Sequence, residues 1–152
     1  MPPGKPGQTA NILIVDDDEL VRDFSVHTIE YGTNRKVVTY ASGFKAWQYI
    51  QNHAQDVDII IADANIPDMD GFELLGRVKP EMPDKIFIIT SSDPALEKTA
   101  NKLGADAFVS KPFDARDLFV IVQRFVLGSE SAAQQKVTPI NNTPSPNETS
   151  EA

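Results

Sequence analysis

Cysteine is absent from the 152 residues, and tryptophan occurs only once. Without cysteine, the chain has neither a disulfide framework nor a thiolate metal site. Long apolar runs are also missing. No segment approaches the roughly 18 apolar residues of a membrane-spanning helix, and the first ten residues lack the apolar stretch of a signal peptide. We therefore expect a cytoplasmic protein that does not enter a membrane.

Basic charge is scarce as well. The chain has 14 lysines and arginines against 22 aspartates and glutamates, which gives a net charge of −8. Broad nucleic-acid surfaces need basic side chains to neutralise phosphates, so we expect no direct nucleic-acid binding. Residues 1–10 are rich in proline and glycine, and residues 128–152 are mostly polar. Both segments are predicted to be disordered tails around one folded domain over residues 11–127.

Predicted strands and helices alternate five times within that domain. The strand candidates are 11–15, 36–40, 57–62, 85–90 and 106–109, and the helix candidates are 19–31, 43–53, 71–79, 94–103 and 114–127. Alternation of this kind predicts an α/β fold in which helices cover both faces of a parallel sheet. In the first helix, apolar or sheet-facing positions are expected at Leu20, Val21, Phe24, Thr28 and Tyr31.

Two buried strand candidates end in carboxylates. Asp16 and Asp17 follow the first strand, and Asp63 follows the third. The carboxyl ends of parallel strands meet at one edge of a sheet, so these side chains should cluster. Two like charges about 4 Å apart repel by roughly 4 kcal/mol at an effective dielectric near 20. A divalent cation would relieve that repulsion, and oxygen ligands favour Mg²⁺ or Ca²⁺.

Two further motifs fall at the same edge: Thr90-Ser91 after the fourth strand and Lys111-Pro112-Phe113 after the fifth. With the acidic pair and Asp63, this ordered set resembles the receiver domain of bacterial two-component response regulators, including the chemotaxis-type, single-domain members. The resemblance covers residues 11–127. It implies a flavodoxin-like (βα)5 fold whose five parallel strands have the order 2-1-3-4-5.

The resemblance also implies roles for site residues. Asp63 would accept a phosphoryl group from a histidine kinase or phosphotransfer protein. Asp16, Asp17, Asp63 and the backbone carbonyl of Asn65 would bind Mg²⁺, and Lys111 would supply a second cation. Chemistry would be limited to self-phosphorylation and slow self-dephosphorylation, so the protein would not be a conventional enzyme.

A phosphorylation-sensitive surface is expected beside this site. The resemblance implies that Thr90 is a switch hydroxyl, that Phe108 is an aromatic switch and that the Lys111–Pro112 peptide bond is cis. The last helix holds more apolar residues than one sheet-facing stripe can use. We therefore expect the face formed by helix 4, strand 5 and helix 5 to bind a partner or a second copy of the chain.

Two alternatives remain open. Asp16-x-Asp18 matches the spacing of haloacid-dehalogenase-type phosphohydrolases, although Leu20 stands where that motif has threonine or valine. The second alternative is a receiver-like module that binds partners without being phosphorylated. Asp18 is expected to cap the first helix, Trp47 to lie in the core, and His27 and His53 to lie at the surface.

Overall fold

The structure is a computed structural model and describes residues 11–33 and 35–135, with side chains described as far as Val126. The predicted amino-terminal tail, 1–10, and residues 136–152 of the predicted carboxyl-terminal tail lie outside the described residues. Within the part that is described, no helix is both long and apolar enough to cross a membrane.

All ten predicted elements are present, with boundaries shifted by a few residues. The strands are β1 (Ile12–Val15), β2 (Val37–Tyr40), β3 (Ile59–Asp63), β4 (Ile86–Ser91) and β5 (Ala107–Ser110). The helices are α1 (Glu19–Thr33), α2 (Gly43–Asn52), α3 (Gly71–Glu81), α4 (Glu97–Lys102) and α5 (Ala115–Gln135). Short 3-10 helices occupy Ala54–Asp56 and Pro94–Leu96, the second forming the start of the helix predicted from residue 94. Helix α5 continues past its predicted end at 127, so residues 128–135 are helical rather than part of a tail.

The five strands form one parallel sheet in the order β2-β1-β3-β4-β5, which confirms the predicted fold class. Every residue of β1 and β3 is buried, because these strands lie inside the sheet and helices cover both faces. Register aligns the strand ends: Val15 pairs with Ala62, and Asp63 pairs with Thr90. The residues that follow β1, β3 and β4 consequently emerge together at one edge.

The core consists of two apolar clusters, one on each face of the sheet. Successive strand residues point to opposite faces. Leu13 and Ile60 accordingly join one cluster with Trp47 of α2, as predicted for that tryptophan. Their neighbours Ile14 and Ile61 join the other cluster, which α1 and α5 cover. The sheet is thereby fixed between two helical layers. These layers hold the carboxyl ends of the strands, where Asp16 and Asp63 lie, in a rigid arrangement.

The predicted sheet-facing stripe of α1 is wrong at three of its five positions, since Val21 and Thr28 are half-buried but the other three are exposed. Leu20 and Tyr31 are 79% and 87% exposed, and Phe24 is also exposed. The buried residues of this helix are Ser25 and Ile29, four positions apart on one face. Small Ser25 lets the helix approach the sheet, whereas the ring of Phe24 packs beside Phe113, with ring centroids 6.3 Å apart. Apolar side chains of α1 are therefore left at the surface near the end of β5.

Candidate functional site

A lysine lies between two buried carboxylates at the carboxyl edge of the sheet. Asp16 follows β1 and Asp63 ends β3, and they are only 2% and 8% exposed. Lys111, in the loop after β5, places its Nζ 2.8 Å from Asp16 Oδ2 and 2.9 Å from Asp63 Oδ2. The three residues come from three separate strands, as the sequence analysis predicted, and form one hydrogen-bonded unit.

Burial and charge act on this unit in opposite directions. Burial raises the pKa of Asp16 and outweighs the lowering caused by the hydrogen bond and charge of Lys111. Burial alone would lower the pKa of Lys111, but its hydrogen bonds to Asp16 and Asp63 and their charges raise that pKa overall. Lys111 therefore stays charged at neutral pH. One ammonium group cannot balance both carboxylates, so the unit favours a further positive charge.

Asp17 completes a group of three carboxylates. Oxygen atoms of Asp16, Asp17 and Asp63 all lie within 4.8 Å of one another. Asp17 is exposed, whereas the other two are buried, so the group is open to solvent on one side. An all-oxygen donor set of this size suits a hard divalent cation such as Mg²⁺. The clustering predicted from the two strand ends is thus present.

Asp18 caps α1 and does not belong to that group. Its Oδ1 accepts hydrogen bonds from the backbone N–H groups of Leu20 at 3.0 Å and Val21 at 3.4 Å. This is the role expected from its place before the helix. The backbone N–H of Asp18 in turn donates to Asp16 Oδ1 at 2.9 Å, which orients the buried carboxylate.

Arg22 is a site contact that the sequence analysis missed. Its Nη1 donates to the backbone carbonyl of Asp16 at 2.8 Å, from the first turn of α1. The bond ties the helix to the loop that holds both acidic residues. A basic residue six positions after Asp16 was the only sequence signal, and surface arginines at that spacing are too common to be informative.

The loop between β3 and α3 folds closely over Asp63. The backbone N–H of Asn65 donates to Asp63 Oδ1 at 3.1 Å, and that of Ala64 donates to the carbonyl of Thr90 at 2.9 Å. A Cβ atom on Gly71 would lie 2.5 Å from the carbonyl oxygen of Asp63, so only glycine fits there. The loop therefore brings the backbone N–H of Asn65 to Asp63, while the role of the Asn65 carbonyl in Mg²⁺ binding stays a prediction.

Thr90 and Phe108 occupy different surroundings. Thr90 is 3% exposed and pairs in register with Asp63, so it lies at the site edge. Phe108 pairs with Ile89, one position earlier, and is partly buried against the core cluster that contains Trp47 of α2. The Lys111–Pro112 peptide bond is cis, as the resemblance implied.

An apolar groove borders the site. It is lined by Leu20, Val21 and Phe24 of α1 together with Ser92, Lys111, Pro112 and Phe113. The predicted surface histidines do not contribute to the site: His27 and His53 are exposed, and each stacks on a tyrosine of its own helix region. The groove thus combines exposed apolar side chains with direct proximity to the lysine of the acidic unit.

Comparison with known proteins is consistent with this geometry. Residues 12–123 match the family described as the response regulator receiver domain. The chain is 29% identical over 139 residues to the response regulator Rre1 of Synechocystis sp., covering 84% of this chain and 59% of that protein. It is also 29% identical over 133 residues to the response regulator SaeR of Staphylococcus aureus, covering 86% of this chain and 57% of SaeR. The chain therefore spans less than two thirds of the length of these relatives.

Solved structures with the same fold include smaller proteins that the chain covers almost completely. A CheY-like receiver domain protein from Methanospirillum hungatei JF-1 is 28% identical, with a TM-score of 0.74, and the match covers 82% of this chain and 98% of that one. The chemotaxis response regulator CheY4 of Vibrio cholerae is 29% identical, with a TM-score of 0.70, over 77% and 98% of the two chains. The family match over residues 12–123 and the three strand-end motifs agree, and the chain belongs to the response regulator receiver domain family of two-component systems.

Proposed function

We propose that this domain accepts a phosphoryl group on Asp63 from a histidine kinase or a histidine phosphotransfer protein. The observation that best supports the proposal is the position of Asp63. Its carboxylate ends a buried strand, has Oδ2 2.9 Å from the Lys111 ammonium group and lies in an acidic group open to solvent. A nucleophile beside a fixed cation is what in-line phosphoryl transfer requires.

In the proposed step, an oxygen of Asp63 forms a new P–O bond while the P–N bond to the donor histidine breaks. The imidazole nitrogen leaves and takes up a proton. Lys111 is placed to neutralise charge on the transferred oxygens, since its Nζ already contacts the nucleophilic carboxylate. Water later attacks the phosphorus, releases inorganic phosphate and restores the Asp63 carboxylate. The chain would thus catalyse only its own modification and its reversal.

Mg²⁺ is the cofactor in this proposal. The carboxylates of Asp16, Asp17 and Asp63 would hold it together with the backbone carbonyl of Asn65. The fit is supported by the spacing of the three carboxylates and by their all-oxygen chemistry. When bound, Mg²⁺ neutralises negative charge on the phosphoryl oxygens. Lys111 alone leaves the buried carboxylates with excess negative charge, which is why the site favours a cation.

The exposed groove beside Lys111 supports docking of the phosphodonor protein. Any protein that delivers a phosphoryl group to Asp63 must contact the surface around the site. Leu20, 79% exposed, and Phe24 line that surface with Phe113. An exposed apolar patch beside a reactive group is typical of an interaction site.

Two donors separate phosphorylation chemistry from docking. Acetyl phosphate needs no protein surface, whereas a phosphorylated histidine kinase does. Asp63→Asn should abolish uptake from both donors. Leu20→Ser should slow transfer from the kinase about tenfold while leaving acetyl phosphate unaffected, which corresponds to about 1.4 kcal/mol of lost docking energy. Tyr31→Ser, on the same helix but outside the groove, is the matched control and should change neither rate.

Phosphate retained by Asp63→Asn would refute the acceptor assignment. Equal slowing of both donors in Leu20→Ser would instead mean that the groove affects the chemistry and not docking. A panel of histidine kinases phosphorylated beforehand supplies the protein donor, and a retained acyl phosphate is counted by the mass added to the intact chain.

We also propose that phosphorylation alters the face formed by α4, β5 and α5, as expected from the sequence. Phe108, Val120 and Ile121 line a groove there with Arg116 and Asp117, and Val120 is 52% exposed. The buried hydroxyl of Thr90 would bind a phosphoryl oxygen and Phe108 would turn inward, which favours one of two arrangements of this face. Arg116 and Asp117, of opposite charge, suit a two-fold contact with a second copy.

Sedimentation with and without beryllofluoride, a mimic of the acyl phosphate, tests this switch. We expect the sedimentation coefficient to rise when beryllofluoride and Mg²⁺ are both present, and Val120→Asp to prevent the rise. An unchanged monomer, together with unchanged hydrogen exchange over residues 94–126, would contradict the proposal.

A further inference from the structure

Asp68 lies in the loop between β3 and α3. Its carboxylate is hydrogen-bonded to the start of α2 and not to α3, the helix that follows it in the chain. Its Oδ1 accepts hydrogen bonds from the backbone N–H groups of Gly43 at 3.0 Å and Met69 at 2.9 Å. Its Oδ2 accepts from Ser42 Oγ at 2.5 Å and from the backbone N–H of Phe44 at 3.2 Å. One exposed carboxylate thus makes four hydrogen bonds, three of them to residues at least 24 positions away in the chain.

These bonds complete the cap of α2. Ser42 accepts from the N–H of Lys45 at 3.1 Å, and Asp68 accepts from the two preceding N–H groups. Together they satisfy the first three helix N–H groups, which have no partner inside the helix. The hydrogen bond from Ser42, helped by those from Phe44, Gly43 and Met69, lowers the pKa of Asp68 to about 2. The carboxylate is therefore charged under all physiological conditions.

The β3–α3 loop and the start of α2 also approach each other closely through their backbones. A Cβ atom on Gly43 would lie 1.9 Å from the carbonyl oxygen of Met69, so no larger residue fits without moving the loop. Ile66 and Met69 are buried in the same apolar cluster as Trp47 of α2. The loop is therefore attached to α2 in two ways. Ile66 and Met69 pack into the shared apolar cluster, and Asp68 makes the hydrogen bonds.

The opposite end of the loop is fastened to the reactive residue. Asn65 donates its N–H to Asp63 Oδ1 at 3.1 Å, and the N–H of Gly71 bonds to the carbonyl of Ala64 at 3.3 Å. Asn65 itself is exposed. The Asn65 backbone is therefore fixed on one side by its hydrogen bond to Asp63. On the other side, Asp68, three residues further along the loop, is hydrogen-bonded to the start of α2.

From this arrangement we infer that Asp68 is a positioning residue for Mg²⁺ binding: by bonding the β3–α3 loop to α2, it holds the Asn65 carbonyl against the carboxylate group. The inference rests on the proposed function, because it assumes that the carboxylates of Asp16, Asp17 and Asp63 bind Mg²⁺. Residues that orient metal ligands from outside typically contribute about 10- to 100-fold to metal affinity. Asp68 holds one ligand of four, so the lower end of that range applies.

The test compares Mg²⁺ affinity in Asp68→Ala and the wild type. Isothermal titration calorimetry measures Mg²⁺ binding directly and needs no phosphodonor. We expect the dissociation constant to rise about tenfold in Asp68→Ala. The Mg²⁺ concentration for half-maximal phosphorylation by acetyl phosphate should rise equally, while the rate at saturating Mg²⁺ should stay within about twofold.

Two further variants separate positioning from simple helix capping. Asp68→Asn keeps an oxygen for the N–H groups of Gly43 and Met69 and should recover most of the affinity. Asp70→Ala removes the same charge from the same loop, where Asp70 caps α3 through the N–H of Glu73 at 2.8 Å. It should lower thermal stability yet leave Mg²⁺ affinity unchanged.

Wild-type Mg²⁺ affinity in a less stable Asp68→Ala protein would overturn the inference, since Asp68 would then only cap α2. If Asp68→Ala does not fold, Asp68→Ser, whose hydroxyl can accept part of these hydrogen bonds, gives the same comparison with a smaller expected loss. If the wild type itself shows no saturable Mg²⁺ binding, the proposed function fails and the inference fails with it.

Discussion

Replacing Lys111 by methionine should destabilise the fold through charge alone. Methionine has a similar length but no ammonium group, so Asp16 and Asp63 would lose the partner that lies 2.8 and 2.9 Å away. Removing one member of a buried ion pair typically costs about 3–5 kcal/mol. The Lys111 side chain is 17% exposed, and water can reach the carboxylates after its removal. We therefore expect the lower end, a loss of about 3 kcal/mol in the free energy of unfolding at about pH 7.

The loss should depend on pH in a defined direction. Burial raises the folded-state pKa of Asp16 above its ordinary value of 3.8, so its charged form destabilises the fold as the pH rises through that pKa. Losing the ammonium group raises this pKa further, and the deficit of the variant should therefore shrink on acidification. On the alkaline side, the raised pKa of Lys111 stabilises the wild type below 10.5 and ceases to do so as the pH rises through the folded-state pKa. The difference between the two proteins should thus be largest near neutral pH.

Urea unfolding followed by Trp47 fluorescence measures this difference. Lys98→Met, which removes the same charge from an exposed position of α4, is the matched control and should change the free energy by less than about 0.5 kcal/mol. The double variant Asp16→Asn/Lys111→Met should be more stable than Lys111→Met, because only one buried carboxylate remains. Equal losses in Lys111→Met and Lys98→Met, or a loss that neither acid nor Asp16→Asn reduces, would refute the charge argument.

The remaining predictions concern single positions. Asp17→Ala should raise the stability of the metal-free protein by up to about 0.5 kcal/mol, because it relieves repulsion at an exposed site, and should weaken Mg²⁺ binding about tenfold in calorimetry. Gly76→Ala should raise the free energy of unfolding in urea by about 0.5–1 kcal/mol, since nothing lies within 4 Å of the new methyl group. Gly43→Ala should lower it by about 1–3 kcal/mol, because its methyl group would collide with the backbone of Met69. The Asp68 carboxyl should titrate with a pKa of about 2 in NMR measurements. The stability that its charged form provides is then present above the ordinary pKa of 3.8 and is lost as the pH falls towards 2. A titration midpoint near 3.8 would mean that its hydrogen bonds are absent in solution.

Much of the site could be predicted because its members follow local patterns. Asp16 and Asp63 each end an unbroken apolar run, and parallel strands bring such ends to one edge. Lys111 and Thr90 followed from the order of motifs along the chain. In each case the information lies within a few residues of the functional side chain, and the sheet supplies the long-range contact.

The parts that could not be predicted depend on contacts between distant segments. Asp68 meets Ser42 across 26 residues, and no periodicity or spacing relates the two. The face that α1 turns to the sheet was misassigned because Leu20 and Phe24 looked like core residues, whereas Ser25 is buried. Apolar character alone does not decide burial when a protein also needs surfaces for partners.

The end of α5 was missed because residues 128–152 are mostly polar and were predicted to form a disordered tail. Gly128 lies inside the helix, where it costs about 1 kcal/mol relative to alanine. Alanines and glutamines at 132–135 are favourable helix formers and continue the helix to Gln135. Helix propensity, and not only polarity, therefore determined how far this helix extends.

The packing of α5 limits how a change at the site can travel through the domain. Leu118, Val122 and Val126 lie four residues apart on one face of this helix and are buried in the core cluster beside α1 and the sheet. A Cβ atom on Gly32 of α1 would lie 2.9 Å from the ring of Phe119, so the two helices also pack closely there. Rigid tilting of α5 would have to break these contacts, whereas rotation of partly buried side chains such as Phe113 would not. A local change near Lys111 is therefore expected to spread as a rearrangement of side chains over a fixed helical frame.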